Sequence, residues 1–244
     1  MFKIRFIIFL SLIFSIITFG ACDASNENPY LLPANHPIKP QLDNIFFHLR
    51  ATATPLSMKM AGFERIGDWK WDKVFVARHP NLKGYLIKAY LDDHLLMDDT
   101  MLVHRIIGAE VIRSAIDAHG YQSYFKVARK WLYQLPGFPN TLPGLKQKNY
   151  ILVVEDMDIV DEKTNKKMFN KSIHEKQLFA LFYIINSLGL ADSIYIKNIP
   201  FTNDGKIAFV DTERYHLWPV PLQKLTPMLN SKMKKFWKQH TLSP

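Results

Sequence analysis

The stretch Ile194-Tyr-Ile-Lys-Asn-Ile-Pro-Phe-Thr-Asn-Asp-Gly-Lys-Ile-Ala-Phe-Val-Asp-Thr-Glu213 sets two short apolar runs on either side of an Asn203-Asp204-Gly205 turn. Asn, Asp and Gly tolerate the positive φ angles of a tight hairpin turn, so this pattern predicts a hairpin. Its first strand begins beside Asn198, and its second delivers Asp211 at its end. An amide and a carboxylate brought together in this way supply the hard oxygens that Mg²⁺ and its accompanying phosphates require. The alternative is an exposed hairpin with polar ends and no ligand. The chain upstream bears on the choice.

At the N-terminus, Lys3 and Arg5 precede an apolar run over residues 6–19 and then Gly20-Ala21-Cys22. A basic stretch, a hydrophobic core and small residues describe a secretory signal, and the run is short for a membrane span of about 20 residues. Residues 1–22 are read as a signal peptide of lipoprotein type with Cys22 as the acylated residue. Phe19 is unusual for that site, so an ordinary signal or an uncleaved anchor stays open. Cys22 is the single cysteine of the chain, which excludes an internal disulfide and a zinc–thiolate cluster. The expected location is a bacterial cell envelope, with membrane attachment through the N-terminus, or secretion.

Residues 23–45 carry Pro29, Pro33, Pro37 and Pro40 and read as a tether. About 200 residues follow, enough for one domain or two small lobes. Without Lys3 and Arg5 the formal charge falls from +9 to +7, which favours anionic partners such as nucleotides, lipid headgroups or acidic proteins. Basic residues interleaved with aromatics are missing, so nucleic acid is not expected. The nine histidines lack metal-ligand spacing, and no serine stands in a nucleophile-elbow context.

Strand-like alternation over residues 63–66, 73–78 and 85–90 predicts a three-stranded antiparallel meander. Leu102, Val103, Ile106, Ile107, Val111, Ile112 and Ala115 form one stripe of a helix over 100–118, with Asp98 or Asp99 as N-cap and Gly120 as its stop. Strands over 124–133 and 150–155 follow, separated by a Pro- and Gly-rich loop. Residues 159–171 read as a charged surface connection. Residues 174–188 are apolar on most sides and read as a buried helix. The fold class is therefore α+β.

This order, with these residues, resembles the protein kinase-like superfamily. Ile66-Gly-Asp-Trp-Lys-Trp-Asp-Lys-Val-Phe-Val-Ala77 stands where that family has a glycine-rich loop and an adenine-covering valine. Gly67 and Val74 match, while Trp69 and Asp72 replace the second and third glycines, which puts phosphate cradling by backbone amides in doubt. Lys88 in Leu-Ile-Lys-Ala matches the lysine that grips the α- and β-phosphates. Glu110 matches the helix glutamate that pairs with it. Leu152-Val-Val-Glu-Asp-Met-Asp158, and Glu155 within it, matches the hinge that binds adenine. Asn198 and Asp211 match the two metal ligands, and Asp211-Thr212-Glu213 replaces the aspartate-phenylalanine-glycine signature. Glu213 is either a further metal ligand or a surface partner of Arg214. Five residues before Asn198 stands Ser193, so Asp192 serves as the catalytic carboxylate only across a one-residue bulge.

The resemblance implies an antiparallel five-stranded N-lobe with one helix over 46–157 and a reduced, mostly helical C-lobe over 158–244. It implies an ATP- and Mg²⁺-dependent phosphotransferase acting on a protein or small-molecule acceptor, with Asp192, Lys88 and Glu110 as catalytic residues. A pseudokinase, anchored or secreted and acting as a binding module, is the alternative. An envelope lipoprotein without a nucleotide site is the third reading.

Overall fold

The computed structural model describes residues 28–67, 74–95, 100–138 and 143–241. The expected signal peptide, Trp69, Asp72 and the N-cap candidates Asp98 and Asp99 lie outside the described residues. In chain order the helices and strands are α1 (Lys39–Phe47), α2 (Pro55–Met60), β1 (Glu64–Arg65), β2 (Phe75–Arg78), β3 (Tyr85–Ala89), α3 (Thr100–Ala118), β4 (Phe125–Val127), β5 (Lys130–Gln134), β6 (Tyr150–Glu155), α4 (Glu162–Lys171), α5 (Glu175–Ser187), β7 (Ile207–Phe209) and α6 (Ser231–Thr241). Among the described residues, no helix is long and apolar enough to cross a membrane.

The protein is a mixed α+β structure around an antiparallel five-stranded sheet of order β1-β2-β3-β6-β5. β5 and β6 bury residues on both faces, whereas β2 and β3 bury Phe75, Ala77, Ile87 and Ala89 on one. Ile87, Ala89, Ile151 and Val153 point into a cluster with Leu42 and Phe46 of α1 and Met58 of α2. Leu152 and Val154 point the other way, into a cluster with Leu102 and Ile106 of α3. A third cluster gathers α4, α5, β7 and α6 around Phe169, Leu181, Phe209 and Trp237. It also takes Ile112 and Ile116 from α3. One helix thus packs its first half on the sheet and its second half on the C-terminal helices, across the expected lobe boundary at 157/158. Each such apolar side chain stabilises the fold by about 1.5–3 kcal/mol when removed from water.

Three expectations are corrected. Within the expected tether, Leu32, Ile38 and Leu42 are buried, and Leu31 bridges Leu132 of β5. Pro40 is accommodated in the first turn of α1, where a missing N–H costs nothing. The charged connection at 159–171 contains a helix: the Asp161 side chain accepts from Thr164 N at 3.0 Å as N-cap of α4, and Phe169 and Asn165 are buried. The single strand expected over 124–133 is split. β4 pairs in parallel with β7, while β5 pairs antiparallel with β6.

The expected hairpin is a tight turn rather than a ladder. Gly205 takes φ +81°, Thr202 N donates to Lys206 O at 2.8 Å, and a single bridge joins Phe201 to Ile207. β7 then carries the chain to Asp211.

Candidate functional site

In β3, Lys88 pairs with Val76 on one side and Leu152 on the other, at the middle of the sheet. Because Ile87 and Ala89 point into the α1–α2 core, alternation turns Lys88 to the opposite face, the side of Tyr90, Leu152 and α3. There its Nζ donates to Val210 O at 2.9 Å.

Above this contact lies a cavity of about 380 Å³. Ile66, Leu86, Val154, Ile159 and Val160 give it an apolar lining, residues 155–157 cross one wall, and Lys88 and Val210 line it too. Glu155 is therefore at the cavity, and its carboxylate accepts from Arg129 N at 3.0 Å. Gly67 follows Ile66, exposed at φ +91°. Val74 is half-buried and packs against the cluster holding Tyr90 and Leu152.

Several sequence-predicted residues converge on residues 210–211. Val210 N donates to Asn198 O at 3.1 Å, Asn198 Nδ2 donates to Asp192 O at 2.9 Å, and Ser193 Oγ donates to Asp211 O at 3.4 Å. Lys88, Asn198 and Asp211 thus belong to one neighbourhood. The Asp192 carboxylate faces Arg214, 3.2 Å from its Nε and partly exposed.

Glu110 does not join them. Its side chain is 58% exposed and pairs with Arg113 at 2.5 Å, one turn along α3. The helical phase explains this correction: the buried face of α3 carries Leu102, Arg105, Ile106, Gly108, Ala109, Ile112 and Ile116, and Glu110 lies off it.

Arg105 fills the inward position. Its Nη1 lies 2.6 Å from Asp211 Oδ1, and its Nη2 pairs with Glu213. The Tyr90 hydroxyl is a further partner. The Arg105 side chain is only 8% exposed. Glu213 is therefore held by Arg105, while Arg214 pairs with Asp192. Burial pushes the Asp211 carboxyl up, but Arg105, Lys88 and Lys130 outweigh it and hold the group below its usual range.

Lys130 lies beneath Thr212. Its Nζ donates to Thr212 Oγ1 at 2.5 Å, and that hydroxyl donates to Arg105 O at 2.5 Å. Burial, then the Lys88 and Arg105 charges, pushes the Lys130 ammonium well below 10.5. The whole assembly is drawn together at Gly108, where an added Cβ would stand 1.8 Å from Thr212 O.

Arg105, Lys130 and Gly108 were not singled out from the sequence, and Thr212 entered only as the middle of Asp211-Thr212-Glu213. For Arg105 the signal existed: it falls in phase with Leu102, Ala109 and Ile112 on the apolar stripe.

The expected magnesium set does not fit this arrangement. Asp211 and Glu213 are both engaged by Arg105, and the Asn198 amide is engaged by a backbone carbonyl. Among the described residues, no three His, Cys, Asp or Glu side chains gather as a metal site. A scan against protein-family models finds no match, and a search of curated proteins finds no significant one.

Proposed function

We propose that the chain is a kinase-like phosphotransferase that takes ATP in the cavity beside Lys88 and passes its γ-phosphoryl group to a hydroxyl of a protein or small-molecule acceptor. One conjunction carries the reading. A single cavity combines apolar sheet residues Ile66, Leu86 and Val154, the crossing chain at 155–157, and Lys88 set against the residue preceding Asp211. Its volume of about 380 Å³ is within the range of small-molecule sites. The strand order β1-β2-β3-β6-β5, with α3 inserted after β3, supports the same fold family.

In this reading the adenine lies between the apolar walls, and Lys88 attracts the phosphates. The acceptor oxygen attacks the γ-phosphorus and gives its proton to Asp192, and ADP leaves. Phosphoryl transfer asks the protein mainly for positioning and charge stabilisation, so few side chains suffice.

A second reading, a kinase-shaped binding module without transfer, is favoured by one observation: Asp211, Glu213 and Asp192 are all paired with arginines. Both readings require nucleotide or its absence to be established first. At 100 times its dissociation constant, Mg-ATP stabilises its host by about 2.7 kcal/mol, a rise in melting temperature of about 5–10 °C for a chain of this size. Lys88→Met should abolish the rise. No shift in wild type removes the nucleotide reading. With binding established, loss of labelled phosphate transfer in Asp192→Ala but not Ser193→Ala selects the transferase, and no transfer by wild type to itself or to a mixed acceptor panel selects the binding module.

A further inference from the structure

We propose that the lysine face built by α4, the start of α5 and α6 lies against an anionic phospholipid surface. Residues 161–176 and 222–241 hold ten lysines against three acids, Asp161, Glu162 and Glu175, a surplus of seven in a chain whose formal charge is +9. Most of the positive excess is therefore local, whereas a surface that serves solubility alone intersperses both signs. Nine of the ten lysines are exposed. Helical phase puts them outside. α6 buries Met233 and Trp237, so Lys232, Lys235 and Lys238 recur on the opposite arc. α4 buries Asn165 and Phe169, which turns Lys163 and Lys167 outward.

Two contacts join these helices into one face. Asn230 Nδ2 donates to Asn170 O at 2.7 Å, tying the start of α6 to the end of α4. Lys232 Nζ lies 2.9 Å from Glu175 at the start of α5. Lys171, Lys176 and Lys232 are thus carried by one junction. Two features select a lipid surface as the partner. Every cation is a lysine, a compact point charge suited to mobile headgroup phosphates, whereas the arginine fork suits oxygens fixed in pairs. An aromatic side chain also rises among the charges: Phe179, three residues after Lys176, is 41% exposed and packs edge-on against His240 of α6 at 5.3 Å. The boundary between headgroups and acyl chains accommodates cations and exposed aromatics together.

The test is co-sedimentation of the full chain with vesicles of phosphatidylcholine alone or mixed with phosphatidylglycerol. The neutral vesicles account for insertion of the apolar run at 6–19. Each lysine at an anionic surface contributes about fivefold in affinity at low salt, so wild type should prefer the anionic vesicles by more than about 100-fold and lose that preference as salt rises. Replacing Lys176, Lys235 and Lys238 together by Gln should cut the preference by about 100-fold. Replacing Lys59, Lys83 and Lys197, three exposed lysines elsewhere, gives the same net charge and should cut it by less than about threefold. Melting curves check that both variants are folded, and the wild-type preference tests the proposal without them. Equal losses in the two variants overturn the proposal, because net charge and not this face then governs binding. Indifference of wild type to phosphatidylglycerol overturns it as well, and capture of soluble polyglutamate in that case assigns the face to an acidic protein.

Discussion

Gly108→Ala is expected to destabilise the protein, although it places the best helix former inside a 19-residue helix. On propensity alone the change should stabilise α3 by about 1 kcal/mol. The tertiary geometry decides otherwise. The new Cβ would lie 1.8 Å from Thr212 O and 3.0 Å from both Thr212 C and Tyr215 Cδ1. Either α3 or the chain at 211–213 must retreat by roughly 1.2 Å to reach a tolerable contact. Thr212 is tied to Arg105 O and Lys130 Nζ at 2.5 Å each, and the residues flanking it are held by Arg105. Overpacking costs about 1–3 kcal/mol, and stretching the buried ion pairs adds to it, so the net loss should be about 2–4 kcal/mol. That is a fall in melting temperature of about 5–15 °C, measurable by circular dichroism or dye-based melting. Gly137→Ala serves as the control, because its Cβ would meet nothing within 4 Å; its effect should stay within about 0.5 kcal/mol. An unchanged or raised melting temperature for Gly108→Ala would refute the close seating of α3 on Thr212.

Two further outcomes follow from buried charge. Asp92 is 1% exposed and takes both oxygens' bonds from Arg50, at 2.7 and 2.9 Å, so Arg50→Ala should cost about 3–5 kcal/mol in urea denaturation; a loss below about 1 kcal/mol would contradict the pairing. Lys130 has a folded pKa well below its unfolded 10.5, so between those values the unfolded chain binds more protons and stability rises with pH. Lys130→Met should remove that rise from the pH dependence of the urea midpoint, and parallel curves for the two proteins would show that Lys130 is not buried as described.

Much of the sheet was legible because its code is local. Alternation around Ile87 and Ala89 places Lys88, and the stripe of α3 is regular enough to give its residues. Asp211 was located by the Asn203-Asp204-Gly205 turn, whose geometry depends on three adjacent residues. The partner of Asp211 was not legible by residue type: α3 was searched for an acid to pair with Lys88, and Glu110, the one chosen, lies off the buried arc, whereas Arg105, which does lie on it, pairs with Asp211. Helical phase carried that information and chemical expectation overrode it. α4 was missed because Met168 and Phe169 are its few apolar residues, although Asp161 and Thr164 spelled its N-cap. α1 was hidden by Pro37 before it and Pro40 in its first turn, while Ile38, Leu42 and Phe46 already kept helical spacing. The division of 124–133 between two sheets has no local mark, because it depends on β7, some eighty residues later.

α3 also governs how the halves of the molecule move. Leu102 and Ile106 are embedded with Leu152 and Val154, while Ile112 and Ile116 are embedded with Leu181 and Phe209. A rod anchored in both masses acts as a cross-brace. Swinging the sheet away from the C-terminal helices would uproot one end of it, so traffic into the cavity is left to side chains and short rim segments, and a partner that had to prise the molecule apart would be working against its global stability.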